Sequence, residues 1–418
     1  MNLNSAHQQH LKLPARSPLG NSAKSIRAPE EQLVIFEQRK TMRYALQRQA
    51  AQLLWESGSG KRQKFRVCHC SRSVQGEVVT LYRAPDGSNA RYGGIMTCGS
   101  GWTCPVCATK IGEVRREELS ASLLLHVQSG GRVNLTTLTF PHERNEMPLA
   151  ETVERMDKAR QMFKNRAEYK AVFHAGKSKT GCIGTVTSME ITHGINGWHP
   201  HLHMLSFTDR SITPDEEDRL KKLWVGCLIK CGLGSNSQIT DMMTYALDVR
   251  GGEKAAEYIA KYGREERWGI TSELTRSHAK KGIGDSVTPF GLLALALAGE
   301  EAAEELFVEF ANVFLGKRLV SFSKGLRAHF GLQDETSDEE AAAMPGEATD
   351  FVGMLTHDQW RVVLKADARA KLLVFAASKC TGYAQADLDM FVENLKDAPV
   401  KSRGWFYVPM RPNPANFH

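Results

Sequence analysis

The run Gly197-Trp198-His199-Pro200-His201-Leu202-His203-Met204-Leu205 narrows what this chain can fold into more than any other stretch. His199, His201 and His203 alternate, so on a β-strand all three imidazoles share one face, about 7 Å apart. Three neutral imidazoles on one face make a poor apolar core and a good metal site. Leu202 and Met204, with Phe207 nearby, are expected to pack inward on the other side.

A partner strand precedes this run. Val186 to Thr192 alternates again, and His193-Gly194-Ile195-Asn196-Gly197 reads as a hairpin turn. With the turn centred between Ile195 and Asn196, Glu190 falls opposite His201 on the same face. A one-residue slip would turn it away. His201, His203 and Glu190 together offer two nitrogens and one hard oxygen, a set suited to Mg²⁺ or Mn²⁺ with positions left for substrate. Further on, Tyr258 and Tyr262 are spaced i, i+4 in Ala256-Glu257-Tyr258-Ile259-Ala260-Lys261-Tyr262-Gly263, a helix-favouring stretch. Beside a metal site, a phenol is a competent nucleophile on a polarised phosphate. Lys261 is placed to neutralise nearby backbone charge.

The cysteines are unevenly spread. Five of the nine, Cys68, Cys70, Cys98, Cys104 and Cys107, fall within forty residues, together with His69. CxC and CxxC at this separation read as two zinc knuckles, with Zn²⁺ supplying stability to a short segment. Cys104 and Cys107 are the firmest ligands; Cys68, Cys70 and Cys98 compete for the remaining places. A redox CxxC lacks its usual βαβ surroundings. Cys227 and Cys231 read as core.

The motifs HPHLH and Tyr258-Ile259-Ala260-Lys261-Tyr262 resemble those of the HUH endonucleases, specifically the rolling-circle replication initiators of plasmids and small single-stranded DNA phages. Asn134–Phe140 resembles that family's first motif. Cys98–Cys107 resembles the cysteine motif of the bacterial plasmid Rep family, and Thr288-Pro289-Phe290 and Gly316–Arg327 resemble its downstream blocks. The resemblance spans roughly residues 65 to 332, with the motifs in order. It departs from the plasmid initiators that carry a glutamate four residues before the nucleophile, because Tyr258 stands there. That spacing is similar to the two-tyrosine initiators of isometric phages and to related transposases.

The resemblance implies an enzyme, a metal-dependent DNA endonuclease and strand transferase that nicks one strand at an origin. Tyr262 would form a 5′ phosphotyrosine and leave a free 3′ hydroxyl, with Tyr258 attacking the regenerated site after one circuit. His201, His203 and Glu190 would hold the catalytic Mg²⁺ or Mn²⁺. Origin DNA, single-stranded and duplex, is the expected partner. Lys280, Lys281, Lys317 and Arg318 are candidate phosphate contacts, alongside Lys261. Two other functions fit parts of the pattern. A two-tyrosine transposase shares the chemistry and differs in its genetic neighbourhood. A non-catalytic zinc-dependent DNA-binding regulator would need neither the histidines nor the tyrosines.

Composition bounds the rest. The chain has 418 residues, 42% of them hydrophobic, and a net charge of +7, a modest bias that suits nucleic acid. No apolar run reaches the length of a membrane span, and the N-terminus lacks the apolar block of a signal peptide, so a cytoplasmic location with reduced thiols is expected. Gly58-Ser59-Gly60-Lys61 lacks the earlier glycine of a phosphate loop, since Trp55 stands there. Unwinding and synthesis therefore fall to a host helicase and polymerase.

The expected fold class is α+β, an HUH-type antiparallel sheet core with flanking helices (placed on one side by element order), a zinc-binding segment and a helical C-terminal part. Residues 1–60 read as a basic arm and a helix over Glu31–Trp55; 61–125 as the cysteine-rich segment; 126–270 as the endonuclease core. Residues 271–332 read as a helical DNA-binding or accessory region. Leu332–Asp350, with seven acids and no Lys or Arg, reads as a solvated linker, and 351–418 as a small helical tail. Helices are expected over Glu113–Val127, Pro148–Glu168, Thr213–Cys231 and Pro289–Phe314, with strands at Val133–Phe140 and Ile239–Val249.

Overall fold

The computed structural model describes residues 29–56, 64–141, 147–251, 286–332, 336–346, 348–378 and 385–397. After a helix over Pro29–Glu56, strands β1 (Val79–Arg83) and β2 (Ala90–Gly93) form an antiparallel hairpin. The helix Pro105–Gln128 follows, with Pro105 at its first position, where a missing N–H costs nothing. Four of the strands of a second sheet come next in the chain: β3 (Arg132–Leu138), β4 (Gly184–Gly194), β5 (Gly197–Thr208) and β6 (Leu247–Gly251). The fifth is β7 (Val320–Phe322). Their order across the sheet is β6-β3-β5-β4-β7, antiparallel throughout, so the histidine strand β5 is central. The last strand, β8 (Asp350–Leu355), returns to pair with β1. This is the α+β class expected.

Strand parity sets the two faces of the larger sheet. Leu202 and Met204 point to one side, into an apolar cluster with Phe163, Leu220 and Trp224 from the helices Leu149–Lys164 and Pro214–Lys230. The latter helix begins at a capping box: Thr213 and Glu216 bond reciprocally, and Asp215, Glu216 and Glu217 favour the positive end of the helix dipole. On the opposite side, Val133, Leu135, Val186, Leu205 and Phe207 join Ile111 and Leu119 of the Pro105–Gln128 helix. Phe207 thus shares the histidine face, two residues further on from Leu205, whereas it was expected with Leu202. Helices cover both faces of the sheet, not one.

Other expectations shift for local reasons. Pro148–Glu168 is two helices, Leu149–Lys164 and Ala167–Phe173, and Pro289–Phe314 is likewise Pro289–Leu297 and Glu301–Phe314. Gly299, at φ 98°, makes the second break in a conformation that other residues resist. Ile239–Val249, expected as one strand, is a helix over Ile239–Tyr245 followed by β6. The reciprocal Ser235–Gln238 bonds start a turn just before it, and the alternation alone could not register them.

The acidic stretch expected as a solvated linker holds a short helix, Asp338–Ala343, with Ala341 and Ala342 buried. Its charge is partly spent on Arg115, whose guanidinium reaches Asp338 at 3.0 Å and Glu118 at 2.9 Å. The tail expected to be helical contributes β8 as well as the helices His357–Lys365, Arg369–Ser378 and Gln385–Lys396. Beside β8, the Gln385 side chain accepts from Met354 N at 3.0 Å and donates to Met354 O at 2.9 Å. No helix among the described residues is long and apolar enough to cross a membrane.

Candidate functional site

The hairpin β4–β5 sets the histidine centre. Its register pairs Glu190 with His201 and Ser188 with His203, closing on Gly194 and Gly197 around Ile195 and Asn196. Across the other edge of β5, Thr137 pairs with His203. The Glu190 carboxylate does not stop at its direct partner. It reaches diagonally, with Oε2 3.1 Å from His203 Nε2, as side chains across a twisted antiparallel pair can do. The other nitrogen of His203, Nδ1, lies 3.2 Å from Thr137 Oγ1. His203 is therefore held at both nitrogens, and its side chain is 4% exposed against 25% for Glu190.

His201 is oriented differently. Its ring is parallel to that of His203 within 4°, with centroids 6.3 Å apart, and its Nε2 lies 3.1 Å from His199 Nδ1. His199 Nε2 in turn lies 2.8 Å from Thr139 Oγ1 and 3.2 Å from the Phe140 carbonyl. That carbonyl only accepts, so His199 carries its proton on Nε2 and His201 donates to His199 Nδ1. Two imidazoles and a carboxylate fit a divalent cation chemically. With metal–donor distances of about 2.1 Å, its donors lie no more than about 4.2 Å apart, so joint ligation requires His201 to turn from His199 toward His203. Thr137 and Thr139, which orient the rings, were not singled out in the sequence, although they alternate on the facing strand.

Trp198, just before the histidines, anchors the hairpin. Its indole donates to Glu309 Oε2 at 2.8 Å, while Glu309 Oε1 accepts from Leu149 N at 2.7 Å. One carboxylate thus ties the β4–β5 hairpin to two helices. Beyond the hairpin, His193 and Val287 form an antiparallel bridge. Tyr258, Lys261, Tyr262, Lys280 and Lys281 lie outside the described residues, and Gly251 and Ser286 flank that segment.

The cysteine centre is closed. The sulfurs of Cys70, Cys98, Cys104 and Cys107 all lie within 4.8 Å of one another, and all four residues are buried. The Cys70–Cys107 separation is 3.5 Å, while Cys98–Cys107 and Cys104–Cys70 are each 3.6 Å. Tetrahedral zinc with bonds of about 2.3 Å places sulfurs about 3.8 Å apart, so the set fits. The two halves are clipped by backbone bonds from Ser71 N to Met96 O and from Met96 N to Ser73 O, both 2.8 Å. Hydrogen bonds from the Cys104, Cys107 and Cys98 thiols hold the Cys70 thiol well below its ordinary range, while burial pushes Cys98 and Cys104 up. Among the five candidates Cys68 is the one left over. It donates to Ala51 O at 3.5 Å, and burial pushes its thiol up to about 12.

Lys317 and Arg318 line a cavity of about 320 Å³ with Lys64 and Arg66, bordered by the ligand loop at Gly99 and Ser100. Arg66 pairs with Glu339 there at 3.2 Å.

Two curated proteins are similar to this chain. "Protein rep" of Streptomyces lividans is 25% identical over 340 aligned residues, covering 65% of this chain and 73% of the relative. The "Neomycin resistance protein" of Streptomyces cyanogenus is 28% identical over 132 residues, covering 27% of this chain and 30% of that protein. No family model and no solved structure matches the chain. The first likeness runs over most of both chains and so reaches well beyond any one motif.

Proposed function

We propose that this chain is a plasmid replication initiator that nicks one strand at its origin through a tyrosine and rejoins strands at termination. The observation that carries the reading is the register of β4 on β5, which brings Glu190, His201 and His203 to one face of the sheet. The likeness to a Rep protein supports it independently.

In this reading Glu190, His201 and His203 hold Mg²⁺ or Mn²⁺, which when bound neutralises charge on the scissile phosphate. Thr137 fixes the His203 ring so that Nε2 faces the carboxylate side of the site. The Tyr262 oxygen bonds to phosphorus while the bond to the 3′ oxygen breaks. The phenolic proton leaves to solvent, and the 3′ oxygen gains one to become a hydroxyl. Tyr258 takes the second transfer. The four-cysteine centre holds structural zinc and, with the basic cavity beside it, supplies duplex DNA contacts, whose strength comes mainly from phosphates. A host helicase and polymerase complete the cycle.

The test incubates the protein with Mn²⁺ and labelled single strands from the replicon that encodes it. A covalent 5′ adduct in a denaturing gel, mapped by mass spectrometry to Tyr262 or Tyr258, is expected. DNA binding that is indifferent to chelation of Mn²⁺, with no cleavage and no adduct, would leave a zinc-dependent DNA-binding regulator instead.

A further inference from the structure

The cysteine centre has a buried cation beside it that no local motif announces. Arg369, at the start of the helix Arg369–Ser378, is 3% exposed. Its Nη1 donates to Gln47 Oε1 at 2.8 Å and to Ser71 O at 3.2 Å, the latter next in sequence to the ligand Cys70. Gln47 in turn donates through Nε2 to the Cys70 carbonyl. The guanidinium lies over the Tyr44 ring at 4.6 Å, and its Nε is buried with no hydrogen-bond partner. Among the described residues, the direct hydrogen-bond partners of this charge are all neutral.

A buried guanidinium needs negative charge nearby. The carboxylate the structure brings near is Asp367, 4.0 Å from Nη2, and Asp367 is also bridged to Arg48. Two guanidiniums share one carboxylate, an excess of one positive charge. Burial and the neighbouring guanidiniums of Arg369 and Arg48 push Arg72 down to about 10, and burial pushes Arg369 down as well, against the Tyr44 and Tyr92 hydroxyls and the Cys70 and Cys104 sulfurs, which favour its charge. A divalent ion held by four thiolates carries a net charge of −2. The excess and the deficit are neighbours.

We propose that Arg369 is the counter-charge of the metal-loaded four-cysteine centre, coupling the C-terminal helix that carries it to metal loading. The proposal rests on the reading that this centre holds a divalent ion as four thiolates. In the metal-bound protein the guanidinium and the tetrathiolate offset each other. Without the loaded centre, Arg369 has only the Asp367 carboxylate, shared with Arg48, to offset its charge. The hydrogen bonds through Gln47 and Ser71 tie the guanidinium to the backbone around Cys70 and make Arg369 a positioning residue for the Cys70 loop.

The experiment first measures zinc in the purified full-length chain, where close to one ion per chain is expected; none would overturn the underlying reading. Zinc affinity is then determined by competition with a chromophoric chelator for wild type, Arg369→Met and Arg369→Lys. Loss of an outer-shell partner typically lowers metal affinity 10–100-fold, and a loss of about tenfold is expected for Arg369→Met. Arg369→Lys, which keeps the charge, should recover most of it. Thermal unfolding should show the Met variant weakened mainly in its zinc-loaded form, with the chelated form no less stable than chelated wild type. A merely structural arginine would behave otherwise: both forms would weaken equally and zinc affinity would hold. That result, or a Lys variant as impaired as Met, overturns the proposal while leaving the zinc reading standing. Should Arg369→Met fail to fold, Arg369→Gln, polar but uncharged, takes its place in both measurements, with the same loss of about tenfold expected and unchanged zinc affinity overturning the proposal.

Discussion

The histidine centre and the cysteine centre gather candidate metal ligands by opposite means. The cysteine centre draws its four sulfurs from a turn, a loop and the start of a helix, and buries all four. The histidine centre draws its groups from three neighbouring strands and leaves Glu190 a quarter exposed at its rim. Four protein ligands in a sealed pocket describe a structural site, whereas fewer ligands at an accessible face leave room for substrate. The two also differ in what holds the ligands when no ion is counted. The thiols are packed against one another, while the imidazoles are steered by hydroxyls and a carbonyl.

The contrast breaks most sharply under substitution of ligands. Under the proposed function, His203→Ala should reduce nicking of single-stranded DNA at least about 10²-fold, the scale of losing a major electrostatic group, while duplex binding and zinc content hold. Denaturing-gel cleavage assays with metal analysis would check it, and normal nicking would remove the histidine centre from the chemistry. Next in size, Cys70→Ser should lose zinc and several kcal/mol of stability, since structural zinc sites are worth on the order of 10 kcal/mol in small domains. Cys68→Ser should keep zinc. Elemental analysis of the two variants separates ligand from bystander, and equal zinc losses would overturn the four-cysteine assignment.

A subtler substitution probes the hydroxyl support. Thr137→Val removes the partner of His203 Nδ1 and should weaken Mn²⁺ binding about tenfold, read by the free Mn²⁺ signal in electron paramagnetic resonance, with zinc untouched. Unchanged Mn²⁺ affinity would mean that the sheet alone orients His203. The smallest expected effect is Trp198→Phe. It leaves Glu309 Oε2 without the indole donor and should cost about 1 kcal/mol in chemical denaturation, with zinc content unaltered.

Both centres were legible in the sequence to different depths. Alternation and turn residues sufficed to place Glu190 opposite His201, because a hairpin with glycines at both ends admits few registers. The same parity should have put Phe207 with the histidines. The cysteine spacing narrowed the ligands to five residues but could not choose among them: Cys68 and Cys70 differ by two positions and are both buried, and the turn beginning at Arg66 decides which one meets the other three sulfurs. Arg369 was illegible, lying almost three hundred residues from Cys70 with nothing local to mark it. The acidic stretch misled because composition reports charge and not its partners. Arg115 and Arg66 bring Asp338 and Glu339 back onto the fold.

The Gln385 amide beside β8 bears on how copies of this chain meet one another. Met354 and Phe351 leave β8 with two large apolar side chains, each 41% exposed, on a strand whose outer ladder would otherwise be a template for another polypeptide. By taking both the N–H and the C=O of Met354, the amide imitates one residue of a neighbouring strand and ends the ladder there. The outer ladder is thereby interrupted at Met354, which makes that edge a poorer template for a second copy of the chain.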